Sequence, residues 1–220
     1  IQNMVEFSIV IPVYNEEENV LELHRRLGIV MEKLGTYEII FVDDGSSDKS
    51  WQIIRELHEK NSRVKGLSFS RNFGHHIAIT AGMDHAQGKA IILMDGDLQD
   101  PPEEIPKLYR KLKEGYELVY GIRKEKKDSI LKRFASFVFW WFINSFSGIN
   151  IPRNQTLLRI FDRKILEVLT SMRERSRFIH GMIAWTGFKT ALQEVEHAPR
   201  ECGKSKYNVI KLFRLAFNAI

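Results

Sequence analysis

The chain has 220 residues, of which 44% are hydrophobic, and its formal net charge is +5. This length and apolar content suffice for one substantial core, so we expect one domain with an appendage. The single cysteine excludes an internal disulfide and argues against a cysteine-based zinc site. The basic excess suits phosphate-bearing ligands or anionic membranes, and because no nucleic-acid-binding signature is present we expect no nucleic-acid partner.

Short apolar runs and helical repeats alternate along the first half of the chain. Strands are predicted at residues 7–12, 38–42, 67–69, 90–94 and 118–120. A helix is predicted after each of the first three strands, and a fourth is expected to begin near Pro101 behind a capping Asp100. Asn15 and Glu18 are expected to form a capping box at the start of the first helix.

This alternation predicts an α/β fold through about residue 123, with a Rossmann-like, mostly parallel central sheet and helices on both faces. In such sheets, ligands bind beyond the carboxyl ends of the strands. The loops that follow the predicted strands are therefore where a functional site is expected.

The sequence changes character after Arg123. Residues 124–132 are rich in charge, whereas residues 134–152 carry no formal charge and are rich in aromatic side chains. A membrane span needs about 20 apolar residues, but the serines and asparagines of this run favour an amphipathic helix at the membrane interface. Core packing and a true span are the alternatives. Residues 206–220 are interpreted as a second surface-lying helix, and we expect the natural chain to continue beyond them.

The most informative stretch is Asp95-Gly96-Asp97-Leu98-Gln99-Asp100, directly after the fourth predicted strand. Two carboxylates separated by a glycine can face one cation, because glycine lets the backbone turn tightly. Mg²⁺ and Mn²⁺ prefer oxygen ligands and are bound through a few carboxylates together with substrate phosphates. The stretch therefore predicts a metal site for a nucleotide diphosphate; the alternative is an ordinary polar loop.

Two further loops follow the first and second predicted strands, at residues 12–17 and 43–48. Acids at such strand ends can accept hydrogen bonds from a base or from ribose hydroxyls. The alternative is that these residues only form turns and cap helices. A receiver-domain acid pocket is set aside, because the third predicted strand ends in Ser-Phe-Ser-Arg and lacks the aspartate that such a pocket phosphorylates.

Together these segments resemble the GT-A fold of family 2 glycosyltransferases, and most closely the polyprenyl-phosphate hexosyltransferases, such as dolichyl-phosphate mannose synthases and bactoprenol glucosyltransferases. The matching segments are Pro-Val-Tyr-Asn-Glu (12–16), Val-Asp-Asp-Gly-Ser (42–46), Ser-Arg-Asn-Phe-Gly (70–74), Met-Asp-Gly-Asp-Leu-Gln-Asp-Pro (94–101), Arg-Ile-Phe-Asp-Arg-Lys (159–164), Arg-Phe-Ile (177–179) with Trp-Thr-Gly-Phe (185–188), and Gly-Lys-Ser-Lys-Tyr (203–207). Their order along nearly the whole chain makes the resemblance specific. It implies a nucleotide-sugar-binding half at residues 1–123 and an acceptor-binding half at residues 124–220, with interfacial helices that precede membrane spans.

The resemblance also implies a role for each matching position. Nucleotide-sugar binding is expected at Pro12, Tyr14, Asn15, Glu16, Asp43, Asp44, Asp95, Gly96, Arg200, Ser205 and Lys206. The metal ligands are expected to be Asp95, Asp97 and Gln99. The acceptor phosphate is expected at Arg123, Lys132, Arg133 and Ser136, for which a solvated face or a lipid-headgroup patch is the alternative. Catalytic roles are expected for Asp97, Arg159 and Arg123.

One departure from the family pattern concerns catalysis. Many relatives carry Asp-Phe-Arg where this chain has Leu157-Leu158-Arg159, so the side-chain base is in doubt. The preceding Asn-Gln-Thr resembles the bactoprenol glucosyltransferases, which makes UDP-glucose the preferred donor and GDP-mannose the second; a modified UDP-pentose is a further alternative. A phosphate monoester has a second pKa of about 6, so as the acceptor it needs positioning more than deprotonation.

The implied activity is an inverting transfer of a hexose, dependent on Mg²⁺ or Mn²⁺, onto a polyprenyl or dolichyl phosphate at the cytoplasmic face of the cell membrane. One alternative is transfer to a soluble saccharide, although the Gln-x-x-Arg-Trp motif of processive synthases is missing. Another is a non-catalytic nucleotide-binding module that docks on membranes, against which the intact metal ligands argue. The sequence leaves homo-oligomerisation open.

Overall fold

The structure is a computed structural model that describes residues 5–123, 154–172 and 179–198. The strands in these ranges are β1 (Phe7–Val13), β2 (Tyr37–Asp43), β3 (Val64–Ser68), β4 (Ala90–Leu93), β5 (Leu118–Arg123), β6 (Gln155–Asp162) and β7 (Thr190–Val195). The α-helices are α1 (Val20–Met31), α2 (Ser50–Lys60), α3 (His75–Asp84), α4 (Ile105–Lys113), α5 (Arg163–Ser171) and α6 (Ile179–Trp185). A short 3-10 helix, Pro102–Glu104, precedes α4.

The strands form one sheet in the order β3-β2-β1-β4-β6-β5-β7. Parallel pairs join β1 to β2 and β4, β2 to β3, and β5 to β7. Strand β6 is antiparallel to both of its neighbours, β4 and β5. The prediction of an α/β fold with a mostly parallel sheet is therefore confirmed. The strand order reverses between β1 and β4, and ligands of such sheets bind outside the strand ends at this position.

Apolar side chains pack against both faces of the sheet. On one face lie Leu27 of α1, Ile54 of α2 and Leu108 of α4, and on the other lie Ile79 of α3 and Leu166 of α5. Strands β1, β2 and β4 are buried along their whole length, as expected for parallel strands covered on both sides. The predicted placement of helices on both faces is confirmed.

Both predicted helix caps are wrong. Helix α1 begins after Asn19 rather than Asn15, and the Asn19 side chain makes no capping hydrogen bond. Asp100 does not cap α4, because its carboxylate accepts hydrogen bonds from Leu158 and His197 instead. In both places, contacts with residues distant in sequence replace the local cap that the sequence pattern suggested.

Strands β6 and β7 come from the predicted acceptor-binding half but extend the same sheet as the first five strands. The division at residue 123 stays a prediction. The predicted interfacial segments, residues 134–152 and 206–220, lie outside the described residues. In the part of the chain that is described, no helix has both the length and the apolar character to cross a membrane.

Candidate active site

An acidic loop, residues 94–100, leaves β4 at the carboxyl edge of the sheet. Asp95 is its more open carboxylate, with 40% of the side chain exposed, whereas Asp97 is only 8% exposed. Leu98, which follows Asp97 in this loop, is buried and has a φ of +59°. This conformation is strained for a bulky side chain, so it persists only where the surroundings hold it.

The ends of β1 and β4 meet at this loop. A Cβ on Gly96 would lie 3.2 Å from the carbonyl oxygen of Pro12, so glycine permits the close approach of the two strand ends. The Asp97 Oδ1 atom accepts a hydrogen bond of 3.1 Å from the backbone N–H of Gln99. The structure therefore places Gly96 beside Pro12 and links Asp97 to Gln99 within the loop, and the role of these residues in one ligand site stays a prediction.

The charges at this loop suit a cation. Although part of the Asp95 side chain is open to solvent, desolvation of its carboxylate by the surrounding protein, followed by the negative charges of Asp97 and Asp100, raises its pKa to about 8, since like charges disfavour ionisation. A bound cation would offset this repulsion. Within residues 5–123, 154–172 and 179–198, no three His, Cys, Asp or Glu side chains are grouped so that they alone hold a metal ion. A Mg²⁺ or Mn²⁺ site completed by substrate phosphates needs only one or two carboxylates. The donor set of Asp95, Asp97 and Gln99 fits such a cation.

The loops after β1 and β2 are tied to each other. Asn15, with a φ of +52°, donates its backbone N–H to Ser46 Oγ at 2.9 Å, and its Oδ1 atom accepts from Ser47 N at 2.8 Å. Glu16 donates its backbone N–H to Ser50 Oγ at 2.8 Å. Tyr14 stays 36% exposed. The Asn15 amide oxygen thus holds the two loops together, and its contact with a nucleotide stays a prediction.

The two acids after β2 hold the loop that follows β3. Asp43 accepts a hydrogen bond from Ser68 Oγ at 3.1 Å, and Asp44 accepts from Phe73 N at 2.7 Å and Gly74 N at 3.0 Å. Burial raises the pKa of Asp44 despite these two backbone bonds. Both residues therefore connect the end of β2 to the end of β3 and the loop after it, and their contact with the nucleoside stays a prediction.

His75, at the start of α3, lies beside the acidic loop, and sequence analysis missed it. The Nδ1 atom of His75 lies 3.9 Å from Asp95 Oδ1. Burial, followed by the charges of His76 and Arg159, lowers the pKa of His75 to about 4, so this ring is neutral at pH 7. In the sequence, the signal that could have pointed to this part of the site was the family-like segment at residues 70–74, which ends directly before α3 begins at His75.

Arg159 lies inside β6, opposite Leu93 of β4 and Tyr120 of β5. It is fully buried, and its guanidinium donates to the carbonyl oxygens of Leu157 at 3.1 Å and Thr156 at 3.0 Å. The guanidinium carbon lies 5.0 Å from the centroid of the Tyr120 ring. Burial lowers the pKa of Arg159 to about 10, which leaves it charged at pH 7. Because it is buried, its geometry supports an effect through charge, and a direct catalytic contact stays a prediction.

Arg123 ends β5 and is exposed at the site edge of the sheet. Its charge acts to lower the pKa of Asp95, so the two side chains are electrostatic neighbours. Leu157 is buried in the apolar cluster beneath α3 and α5, which agrees with the absence of a side-chain base at this position. The predicted residues that lie outside the described ranges are Lys132, Arg133, Ser136, Arg200, Ser205 and Lys206.

Asp100 connects the acidic loop to two other strands, which sequence analysis did not anticipate. One carboxylate oxygen accepts from the backbone N–H of Leu158 in β6 at 3.4 Å. The other accepts from His197 Nδ1, just beyond β7, at 3.0 Å. The backbone N–H of Ala198 donates to the Gln99 carbonyl oxygen at 2.9 Å. No local pattern signals these contacts, because they depend on where β6 and β7 join the sheet.

A mostly parallel sheet with an Asp-Gly-Asp loop at the reversal of strand order is the arrangement expected of a nucleotide-sugar-dependent glycosyltransferase. Residues 8–177 match the family described as Glycosyl transferase family 2, and the chain belongs to this family. It is 43% identical over 218 residues to an uncharacterized glycosyltransferase, YkcC, of Bacillus subtilis, covering 98% of this chain and 68% of that protein.

A second relative is the undecaprenyl-phosphate 4-deoxy-4-formamido-L-arabinose transferase of Edwardsiella ictaluri. It is 39% identical over 215 residues, which cover 97% of this chain and 66% of the relative. The chain therefore spans about two thirds of the length of these relatives. The predicted resemblance to glycosyltransferases of the polyprenyl-phosphate type is confirmed.

Solved glycosyltransferases share the fold. The mannosyltransferase PcManGT of Pyrobaculum calidifontis, in complex with GDP-Man and Mn²⁺, has a TM-score of 0.65 at 17% identity, over 97% of this chain and 61% of that one. Glucosyl-3-phosphoglycerate synthase of Mycobacterium tuberculosis, in complex with Mn²⁺ and UDP-glucose, has a TM-score of 0.63 at 17% identity, over 97% and 76%. The expected GT-A fold is confirmed.

Proposed function

We propose that the chain transfers a sugar from a nucleotide sugar to a polyprenyl phosphate, with Mg²⁺ or Mn²⁺ as cofactor. The observation that carries the proposal is the acidic loop at the reversal of strand order, where Asp95 and Asp97 lie beside the end of β1. The names of relatives at 38–40% identity, which are undecaprenyl-phosphate transferases, support the lipid phosphate as acceptor.

The proposed step is a direct displacement at the anomeric carbon. A phosphate oxygen of the acceptor forms a bond to that carbon while the bond from the carbon to the diphosphate breaks, and the anomeric configuration inverts. The chemistry that a divalent cation supplies is neutralisation of charge on the departing diphosphate. Asp95, Asp97 and Gln99 are the residues proposed to hold it. A dianionic acceptor oxygen has no proton to lose, which agrees with Leu157 in place of a base.

The other residues have proposed roles at the two ends of this displacement. Pro12, Tyr14, Asn15, Glu16, Asp43, Asp44, Gly96, Arg200, Ser205 and Lys206 are proposed to bind the nucleotide sugar. Arg123, Lys132, Arg133 and Ser136 are proposed to bind the acceptor phosphate. Support for this arrangement comes from Arg123, which is exposed at the site edge and close enough to influence Asp95. Arg159 is proposed to assist through its buried charge.

The proposed donor is UDP-glucose, on the resemblance of residues 154–156 to bactoprenol glucosyltransferases, with GDP-mannose second. A nucleotide-linked 4-deoxy-4-formamido-L-arabinose is a further candidate, because relatives with this specificity are 38–40% identical to the chain. The proposed location is the cytoplasmic face of the membrane, supported by the lipid acceptor and by the uncharged aromatic run at residues 134–152.

A donor panel tests this proposal. UDP-glucose, GDP-mannose and the UDP-linked formamido-arabinose are each incubated with a short polyprenyl phosphate and Mn²⁺ or Mg²⁺, and products are identified by mass. We expect a glycosylated lipid phosphate from one donor, and none when a chelator is added. Release of sugar without a lipid product, or transfer to soluble saccharides only, would contradict the proposed acceptor.

A further inference from the structure

The acidic loop is held in a strained shape by contacts beyond its own residues. Leu98 adopts a left-handed conformation although it is a bulky, buried side chain. Such a conformation is unfavourable for a bulky residue and persists only where the neighbouring structure holds it in place. Since Leu98 stands between Asp97 and Gln99, the same restraints fix the direction of two proposed metal ligands.

The restraint from the β7 side consists of two hydrogen bonds. The His197 Nδ1 atom lies 3.0 Å from Asp100 Oδ1, and Ala198 N donates to the Gln99 carbonyl oxygen at 2.9 Å. The Asp100 side chain is 2% exposed and that of His197 is 17% exposed, so water competes poorly for the contact. The pair therefore attaches the far end of the acidic loop to the chain that leaves β7.

The opposite oxygen of Asp100 is engaged as well. It accepts from the backbone N–H of Leu158, which lies in β6 between β4 and β5. Asp100 is thus held from β6 on one side and by His197 on the other, and the ring sets the orientation of the carboxylate. Loss of the ring would leave a buried carboxylate oxygen without a hydrogen-bond donor, which is unfavourable.

We propose that His197 is a positioning residue for the divalent-cation site: through Asp100 and Gln99, it holds the acidic loop in the shape that lets Asp97 and Gln99 bind the cation of a nucleoside diphosphate. This inference rests on the proposed function. Residues that orient metal ligands from outside the coordination shell typically contribute a factor of 10–100 in metal affinity. His197 lies in none of the segments that carry the family resemblance.

Mn²⁺ binding in the presence of UDP tests this role without turnover. The loss of the free Mn²⁺ signal in electron paramagnetic resonance is titrated for the wild-type chain and for His197→Ala, His197→Leu and His197→Asn. The asparagine amide nitrogen occupies nearly the place of Nδ1 and restores a donor to Asp100, whereas alanine and leucine do not. His58→Ala is the control, because the exposed residue His58 also makes an Nδ1 contact, of 2.6 Å to the Val64 carbonyl oxygen, away from the site.

We expect His197→Ala and His197→Leu to weaken Mn²⁺ binding by about tenfold or more, His197→Asn to bind within about threefold of the wild type, and His58→Ala to bind normally. Wild-type affinity in both His197→Ala and His197→Leu would overturn the inference, as would equal weakening in His58→Ala. The leucine variant decides the question if the alanine variant does not fold. A wild-type chain that transfers sugar and binds Mn²⁺, together with unaffected His197 variants, would refute this inference alone. A wild-type chain that does neither would refute the proposed function as well.

Discussion

Side chains around the acidic loop differ in whether they face open space or support the loop from within. Asp95 and Arg123 are accessible from the site edge, whereas Arg159, Asp100 and Tyr120 are buried beneath it. Ligand contacts are proposed for these two accessible side chains and for Asp97, which is 8% exposed. The buried side chains influence the charge and the shape of the acidic loop, so substitutions there are expected to change both the stability of the fold and the proposed function.

Asp97→Asn tests the proposed metal role at a single atom. The asparagine Oδ1 still accepts from Gln99 N, so the loop keeps its shape while one negative charge is lost. Because that charge is proposed to hold the cation at the departing diphosphate, we expect the metal-dependent transfer rate to fall roughly 100-fold or more. Initial rates over a Mn²⁺ titration measure this. Asp84→Asn, an exposed acid at the end of α3, is the control, and near-normal transfer by Asp97→Asn would contradict the metal role.

Tyr120→Phe tests a buried hydroxyl that has no hydrogen-bond partner among the described residues. A buried, unsatisfied polar group costs about 1–3 kcal/mol, so its removal should raise the free energy of unfolding by about 1 kcal/mol and the Tm by about 2–4 °C. Thermal and urea unfolding measure the change. The same substitution at the partly buried Tyr109, packed edge-on against Phe7, should change little. A less stable Tyr120→Phe variant would show that the hydroxyl has a stabilising partner.

At the scale of elements, the loops at the ends of β2 and β3 are packed together by a glycine. Gly45 has a φ of +70°, and a Cβ there would lie 2.7 Å from Asn72 N and closer still to the Arg71 backbone. Backbone atoms cannot yield as a flexible side chain can. The approach of these two loops therefore depends on the absence of a side chain at residue 45.

Gly45→Ala should destabilise the fold more than Gly115→Ala. Gly115 also has a positive φ, +90°, but a Cβ there meets nothing within 4 Å. Its substitution therefore carries only the strain of a left-handed backbone, about 1–2 kcal/mol, whereas Gly45→Ala adds a collision that should cost a further amount of about 1–3 kcal/mol. Urea denaturation of the two variants gives the difference. Equal losses of stability would mean that the 71–72 backbone moves away at no cost.

The elements that sequence could predict are those whose signal is local. Strands β4 and most of β1 and β2 are apolar, and α1 shows its apolar positions at regular helical spacing, so the hydrophobic pattern was sufficient to predict them. Strand β6 was not predicted, because the charged Arg159 interrupts its apolar residues, and a charge in the middle of a segment argues against a buried strand. Strand β7 lies at the sheet edge, where its alternation of exposed and half-buried residues gives a weak signal.

The residues of the candidate site also fall into two groups, those with a local signal in the sequence and those that only the fold brings together. Asp95, Gly96 and Asp97 are contiguous, so their motif was visible in the sequence. His75, Tyr120 and His197 reach the same region from α3, β5 and the chain beyond β7, and only the strand order brings them near. Asp100 was assigned a local capping role because its partners, Leu158 and His197, are distant in sequence.

At the scale of the whole molecule, ligand binding at the strand ends should stabilise the entire fold, because the site draws on loops from β1, β2 and β4. A ligand present at about 100 times its Kd adds about 2.7 kcal/mol, which corresponds to a Tm increase of about 5–10 °C for a chain of this size. We expect this shift from UDP with Mn²⁺, a much smaller one from UDP alone, and none in Asp97→Asn. Differential scanning fluorimetry measures it, and an equal shift without Mn²⁺ would argue against a shared cation.

Because β6 is antiparallel to β5, the end of β5 and the start of β6 lie at the same edge of the sheet. The backbone N–H of Arg123 donates a hydrogen bond of 2.9 Å to the carbonyl oxygen of Asn154. The two residues that flank the segment 124–153 are therefore bonded to each other beside the acidic loop. Replacing residues 124–153 with the corresponding segment of a relative is therefore expected to leave every strand of the described sheet in place. Under the proposed function, such an exchange is expected to alter the acceptor contacts proposed at Lys132, Arg133 and Ser136 and to leave the acidic loop unchanged.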